Sequence, residues 1–423
     1  MKKLYLIVIM LFLLLTTASC NKNVDINLDG YIDSLMNDTK ADVPSWNKEG
    51  YKGKWNYIDG VFLNSLMNVY KEKEDKKYLN FIINYVNYYI NESGYFVNLV
   101  DPEKSGFTSG ELDTICESKI LFDLLEFTND SRYEKAIEIT YNELISITRA
   151  KNNINFSHKE SYKYQVWLDG MYMYVPFYAR YALKYDKLEI FDEITNQYKF
   201  IREKMYDNDK KLYYHANDTS KDIFWVNRET GNSKSFWLRS IGWYITSLVD
   251  VIEYFPKGDN QNYLINLLDE ALDGLLNYID NNSKMFYQVV DQGDKEFLIA
   301  AEYLKQLKNT KYKNKDGSYS DTMIKNYLES SGSSMVAYTL MKASRLGYIA
   351  EDKLNLGKSI FEGIYKHSYK NNELNDICIT AGLGPENRLY RDGTIEYYLA
   401  EPVGSNDAKG VGPFLMSYLE YKK

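Results

Sequence analysis

Six times along this chain a short run of small or polar residues opens an apolar helix. The openings are Tyr57-Ile58-Asp59-Gly60, residues 113–118, Trp167-Leu168-Asp169-Gly170, Trp237-Leu238-Arg239-Ser240, Ser330-Ser331-Gly332-Ser333 and Lys409-Gly410-Val411-Gly412. Each leads into a run such as Val61-Phe62-Leu63 or Ile245-Thr246-Ser247-Leu248-Val249. More polar, amphipathic stretches lie between them, at 77–91, 132–149 and 262–281. The repeat is roughly 55 residues at first and longer later, room for two helices with loops. Apolar helices rich in small residues belong inside a fold, and amphipathic ones, with one solvated face, belong outside. Six such pairs predict an all-α, single-domain (α/α)6 barrel, an inner ring of apolar helices within an outer ring. If the openings share one end, Asp113, Asp169, Trp237 and Arg239 converge on one cavity.

The third opening bears most directly on chemistry. Val166-Trp167-Leu168-Asp169-Gly170-Met171-Tyr172-Met173 sets a carboxylate beside an indole at the start of an apolar run, 171–183, that reads as a buried helix. An unpaired buried carboxylate is costly, so an acid placed there has a task. Helix capping is one such task, because Asp is a preferred N-cap, and catalysis is another.

The N-terminus reads as a targeting segment. Lys2 and Lys3 precede an apolar stretch at 4–15 that is too short to span a bilayer, and Thr17-Ala18-Ser19-Cys20 follows. This resembles a bacterial lipobox, with residues 1–19 removed as a signal peptide, lipid on the Cys20 sulfur and residues 20–27 as a tether. The expectation is an exported, membrane-anchored lipoprotein; the alternative is an ordinary signal peptide with an incidental cysteine. Asp25 to Gly30 matches the opening of an EF-hand loop, but Met36 occupies the position of its bidentate Glu. The stretch reads instead as the cap of a first helix, Leu28–Asn37.

The remaining cysteines, Cys116 and Cys378, read as buried or as a disulfide pair. His158, His215 and His367 are too scattered for a zinc site, so no metal is expected. A net charge of −8 with no basic tract excludes nucleic acid as a partner. An anionic substrate must then be met by local cations. Proline is scarce, at 7, and tyrosine abundant, at 41, which fits a helical chain and suits a sugar-binding groove. Segments 205–235 and 370–408 are long, polar and aromatic, and are expected to line the mouth of the barrel.

Taken together, the motifs resemble those of the unsaturated rhamnogalacturonyl hydrolases, family 105 of the glycoside hydrolases. The matching pieces are Trp55-Asn56-Tyr57 with Gly60, Leu112-Asp113, His158, Trp167 to Met173, Tyr214-His215, Trp237 to Tyr244 and Glu329 to Ser333. Ala381-Gly382-Leu383-Gly384, Arg391-Asp392-Gly393-Thr394 and Asp407 to Phe414 complete the set. They occur in family order over nearly the whole chain after residue 20. One departure is visible: Glu117-Ser118 stand before Lys119, where the family often has Pro-Gly.

The resemblance implies an (α/α)6 barrel catalytic domain over 28–423 and a hydrolysis without cofactor. The substrate implied is an oligosaccharide ending in a uronic acid with a C4=C5 double bond, as a polysaccharide lyase leaves it. Protonation of C4 would produce an oxocarbenium-like centre at C5, water would add there, and the hemiketal would open to release the neighbouring sugar. The carboxylate spacing rule for ordinary glycosidases does not apply to that route. Asp169 is expected to be the acid/base, raised in pKa by burial beside Trp167 and by the like charge of Asp113. Asp113 is expected to tune Asp169 or to hold the sugar, and a helix cap is its alternative. Tyr57, Trp167, Trp237 and Trp243 are candidates to stack on the planar ring. Arg239 would pair with the substrate carboxylate, or else form a salt bridge with Asp113 or Glu229. His158 and His215 would bond sugar hydroxyls, and His367 is expected on the surface.

The same chemistry on glucuronate ends, as from ulvan, is the nearest rival reading. An ordinary two-carboxylate glycosidase, a sugar epimerase and a lipid-anchored sugar-binding protein are further ones. The intact Trp167-Leu168-Asp169-Gly170 argues against a purely binding role.

Overall fold

The computed structural model describes Val24, residues 26–37, Thr39 and residues 43–423. The expected signal peptide, Cys20 and Asp25 lie outside the described residues. Six helices form the inner ring: α2 (Tyr57–Lys73), the broken pair α4 (Leu112–Ile115) and α5 (Ile120–Thr128), α7 (Leu168–Lys184), α9 (Leu238–Val251), α12 (Ser330–Arg345) and α15 (Ala408–Lys422). Six more lie outside them: α1 (Leu28–Asn37), α3 (Lys76–Tyr89), α6 (Ser131–Ser146), α8 (Glu189–Met205), α10 (Asp259–Leu276) and α13 (Lys353–His367). Each inner helix packs on the next, and α15 packs on α2, which closes the ring. Two short helices, α11 (Ala301–Gln306) and α14 (Ile395–Ala400), and five two-stranded ribbons decorate the loops. The expected (α/α)6 barrel is the observed fold.

The ring is stitched by one recurring backbone hydrogen bond. The amide of Leu112 donates to the carbonyl of His158, Leu168 to His215, Leu238 to Gln288, Ser330 to Asp376 and Ala408 to Trp46; Trp55 donates to Gly106. In each case the start of one inner helix is tied to the segment that precedes the next inner helix. An orphan amide at the helix start is thereby satisfied, and the six openings are held at one end of the barrel.

Capping separates two kinds of opening. Asn56, Glu329 and Asp407 cap α2, α12 and α15 with their side chains. The residues at the N-caps of α4, α7 and α9 are Glu111, Trp167 and Trp237, and none makes a side-chain cap bond. Asp113 and Asp169 therefore lie one residue inside their helices and do not cap them.

The Glu117-Ser118 departure has a structural task. The short 3-10 turn Cys116–Lys119 lies against the start of α2, where Glu117 accepts the Asn56 amide at 2.8 Å and Ser118 accepts the Trp55 indole N–H at 2.9 Å. A Cβ at Gly60 would sit 2.5 Å from the Glu117 Cα, so only glycine permits this approach. In α1, Asn27 caps the Gly30 amide at 3.1 Å, as expected, and Asp29 bonds Lys73 at 2.7 Å and the Tyr78 hydroxyl. The Asp29 carboxylate thus ties α1 to α2 and α3. Cys116 and Cys378 are both free and buried.

Candidate active site

The end of the barrel that carries the openings encloses a cavity of about 410 Å³. Its wall contains Tyr57, Asp113, His158, Trp167, Asp169, Trp237, Arg239 and Trp243, eight of the nine residues expected there. Against the overall negative charge, the lining supplies five cations, Lys159, Arg239, Arg388, Arg391 and Lys409, beside the four acids Glu49, Glu111, Asp113 and Asp169. The local positive charge required for an anionic substrate is present.

Asp169 is 8% exposed, and its Oδ2 lies 3.0 Å from Nε2 of His215. The other ring nitrogen, Nδ1, is 2.7 Å from the Tyr398 hydroxyl. His215 is fully buried behind Asp169 and does not line the cavity, so the expectation that it bonds a sugar hydroxyl is corrected. His215 stands behind Asp169 and positions it. The expectation for segment 205–235 changes likewise. It holds His215 and pairs its strand Ala216–Asp218 with Gln165–Trp167, while its Trp225 indole donates to the Gly384 carbonyl. It braces the wall, and segment 370–408 supplies the lining through Thr380, Gly382, Arg388 and Arg391.

Asp113 is held by Lys159 at 2.7 Å and lies 3.5 Å from Nε2 of His158. Burial alone would raise its carboxyl, but Lys159, with His158 adding, holds it below the ordinary carboxylate range. His158 is pushed down to about 4 by burial, with the Asp113 charge opposing, so it is neutral at physiological pH. Its ring stacks on Trp167 at 4.5 Å and 7°, and Tyr162 stacks on the same indole at 4.9 Å.

On another wall Arg239, 1% exposed, bonds the Cys378 carbonyl and reaches Ser331 Oγ at 3.4 Å. It forms no ion pair with any carboxylate among the described residues, so the salt bridge to Asp113 or Glu229 is not made. Its guanidinium lies 4.9 Å from the Trp237 ring. Trp237 is fixed by its indole N–H on Gln288 at 3.2 Å and stacks against Tyr398 at 5.8 Å. Trp243 forms the floor, tilted on Tyr172 at 4.5 Å. Tyr57 donates to Glu49 at 2.9 Å, and Glu49 is paired with Lys409 at 2.9 Å. His367 is exposed, as expected.

Sequence reading missed Lys159, Glu49 and Tyr398, and gave no role to Arg391 and Lys409, which lie within matched motifs. A signal existed for Lys159, which follows the matched His158. None existed for Tyr398, which meets His215 across 183 positions.

A closed double ring of six inner and six outer helices is the fold of the six-hairpin glycoside hydrolases. The family profile of Glycosyl Hydrolase Family 88 matches residues 31–300 and 297–423. A glycoside hydrolase from family 105 of C. acetobutylicum ATCC 824 is similar over 94% of this chain and 99% of its own, at 35% identity and a TM-score of 0.79. A 24.9 kDa protein in the picA locus of Rhizobium radiobacter is 32% identical over 219 residues, 49% of this chain and 81% of that one. The unsaturated glucuronyl hydrolase of Bacillus sp. GL1, responsible for the degradation of glycosaminoglycan, shares the fold at 10% identity and a TM-score of 0.58, over 87% of this chain and 86% of that one. The chain belongs to Glycosyl Hydrolase Family 88 as that profile defines it, and to glycoside hydrolase family 105.

Proposed function

We propose that this enzyme releases the terminal C4=C5 unsaturated uronic acid from lyase-generated oligosaccharides, with unsaturated rhamnogalacturonan as the substrate and Asp169 as the general acid/base. The observation that carries the reading is that one cavity holds both Asp169, backed by His215, and an Arg239 guanidinium that makes no ion pair with a carboxylate among the described residues. The uronate carboxylate takes Arg239, its planar ring lies against Trp237 or Trp167, and C4 faces Asp169. Asp169 protonates C4, and positive charge develops at C5 and the ring oxygen. The carboxylate so formed takes a proton from water as its oxygen bonds to C5. The hemiketal opens, and the neighbouring sugar leaves. Asp113, held by Lys159, accepts hydrogen bonds from sugar hydroxyls. We further propose that Cys20 carries lipid and anchors the enzyme at a membrane; Cys20→Ala would then release it in soluble form from a membrane fraction.

The conjugated C4=C5 carboxylate absorbs in the ultraviolet, and the reaction destroys that chromophore. Wild type is expected to bleach a lyase digest of rhamnogalacturonan, and Asp169→Asn to do so roughly 10²–10⁴-fold more slowly. Bleaching of an ulvan or glucuronan digest instead would move the substrate and keep the mechanism. No bleaching of any unsaturated uronide by folded protein would refute it.

A further inference from the structure

Tyr398 lies outside the constellation read from the motifs, yet it closes a chain of contacts that ends at Asp169. Its hydroxyl is 2.7 Å from Nδ1 of His215, whose Nε2 is 3.0 Å from Asp169 Oδ2. All of Tyr398 is buried, and its hydroxyl makes no other hydrogen bond among the described residues. Its ring is pinned against Trp237, and its carbonyl accepts from Gln288 at 3.3 Å. We infer that Tyr398 is a positioning residue: by donating to Nδ1 it fixes His215 as the Nε2–H tautomer, which occupies Asp169 Oδ2 and leaves the acid proton on Oδ1, facing the cavity.

The steps follow from donor and acceptor bookkeeping. Burial, with Asp169 and Asp392 nearby, holds the Tyr398 phenol well above its ordinary value, so it keeps its proton. Among the described residues that proton has one hydrogen-bond partner, Nδ1. A neutral imidazole that accepts at Nδ1 carries its hydrogen on Nε2. Nε2, 3.0 Å from Oδ2, then carries the hydrogen, and both of these atoms are sealed from solvent. The carboxyl meets the cavity through Oδ1, and a protonated Asp169 must carry its hydrogen there, where a substrate carbon can take it. The opposite tautomer would let Asp169 donate from Oδ2 to Nε2 and lose its proton to the imidazole. It would also leave the Tyr398 O–H buried without an acceptor. The other charged groups near this chain are Asp113 with Lys159 and His158 on the cavity side, and Asp392, Glu401 and Cys378 on the Tyr398 side. None of them contacts a ring nitrogen of His215.

This inference rests on Asp169 being the acid, and the test separates the two. Tyr398→Phe keeps the ring and its stacking and removes only the hydroxyl. The proton of Asp169 then gains a second, unproductive home on His215. Storing it there lowers the low-pH plateau of kcat/KM about tenfold and moves the alkaline limb up by about one pH unit, so that the two profiles merge at high pH. KM changes little. A purely structural loss would lower the whole profile without moving its limb, and that result would overturn the inference. If Asp169→Asn bleaches unsaturated uronide as wild type does, the acid assignment fails first. A second readout needs no turnover. In wild type at neutral pH, ¹⁵N-histidine NMR is expected to show the His215 signal, identified by its loss in His215→Gln, with Nε2 protonated and Nδ1 bare. An Nδ1-protonated His215 would refute the proposal even if Tyr398→Phe failed to fold.

Discussion

Arg239 offers the sharpest test of how the cavity recognises its substrate. The guanidinium is buried at 1% exposure and spends one amino group on the Cys378 carbonyl and Ser331 Oγ. Its remaining N–H groups meet no carboxylate among the described residues, so a substrate carboxylate can accept two parallel bonds from them. A hydrogen bond to a charged group contributes about 1.5–3 kcal/mol, so the bidentate pair, net of desolvation, should be worth roughly 3 kcal/mol. At 1.36 kcal/mol per tenfold, that is about 150-fold in kcat/KM. Arg239→Met keeps the length of the side chain and removes the fork. The decisive assay is a cycle of two enzymes and two substrates, the free unsaturated uronide and its methyl ester, followed by loss of ultraviolet absorbance. The ester changes the intrinsic reactivity of the vinyl ether, but that change is common to both enzymes and cancels. Wild type should prefer the acid over the ester by about 150-fold more than Arg239→Met does. If the variant, melting like wild type, discriminates as strongly, Arg239 does not hold the carboxylate and the proposed pose is wrong.

Two predictions concern the electrostatics around Asp113. Lys159→Met removes the main charge that holds the Asp113 carboxyl low, leaving a largely buried carboxylate uncompensated. The stability Asp113 supplies is present above its unfolded pKa and is lost as pH falls through its lower folded one. Urea unfolding should therefore show the variant destabilised by roughly 2 kcal/mol at pH 7, with the gap closing toward pH 3. His158 titrates at about 4 in the fold against 6.5 when free, so its buried neutral ring stabilises the fold above 6.5, and that stability is lost as pH falls toward 4. His158→Gln should flatten the stability profile over that window, by up to roughly 3 kcal/mol between its ends. An unchanged slope would mean that His158 is not held neutral by burial.

Much of the site was legible because it is periodic. Asp113, Asp169, Arg239, Ser331 and Lys409 are each the residue after the one whose amide is stitched to the neighbouring repeat. A repeat read from apolar runs therefore places them on one rim without any knowledge of contacts. The stitching also makes His158, His215 and Gln288 equivalent, since each offers its carbonyl to an inner helix. Their side chains nevertheless do different work, on Asp113, Asp169 and Trp237. That equivalence was not visible beforehand because these residues sit in loops of unequal length, where no period survives. The two histidines were consequently read as sugar ligands alike, and only one of them faces the cavity.

By itself the sequence determined the helical ring, the end at which its openings gather, the carboxylates and the arginine on that rim, and the family to which the order of motifs points. Those follow from helix periodicity and from local chemistry, which act over a few residues. The tertiary structure alone decided which charges are spent and which are free. It gave Asp113 to Lys159, set His215 and behind it Tyr398 against Asp169, and left Arg239 without an ion-paired carboxylate among the described residues. Such pairings depend on atoms meeting across the ring within about 3 Å, at hydrogen-bond range. Chain positions 183 apart carry no local mark of that meeting until the ring has closed.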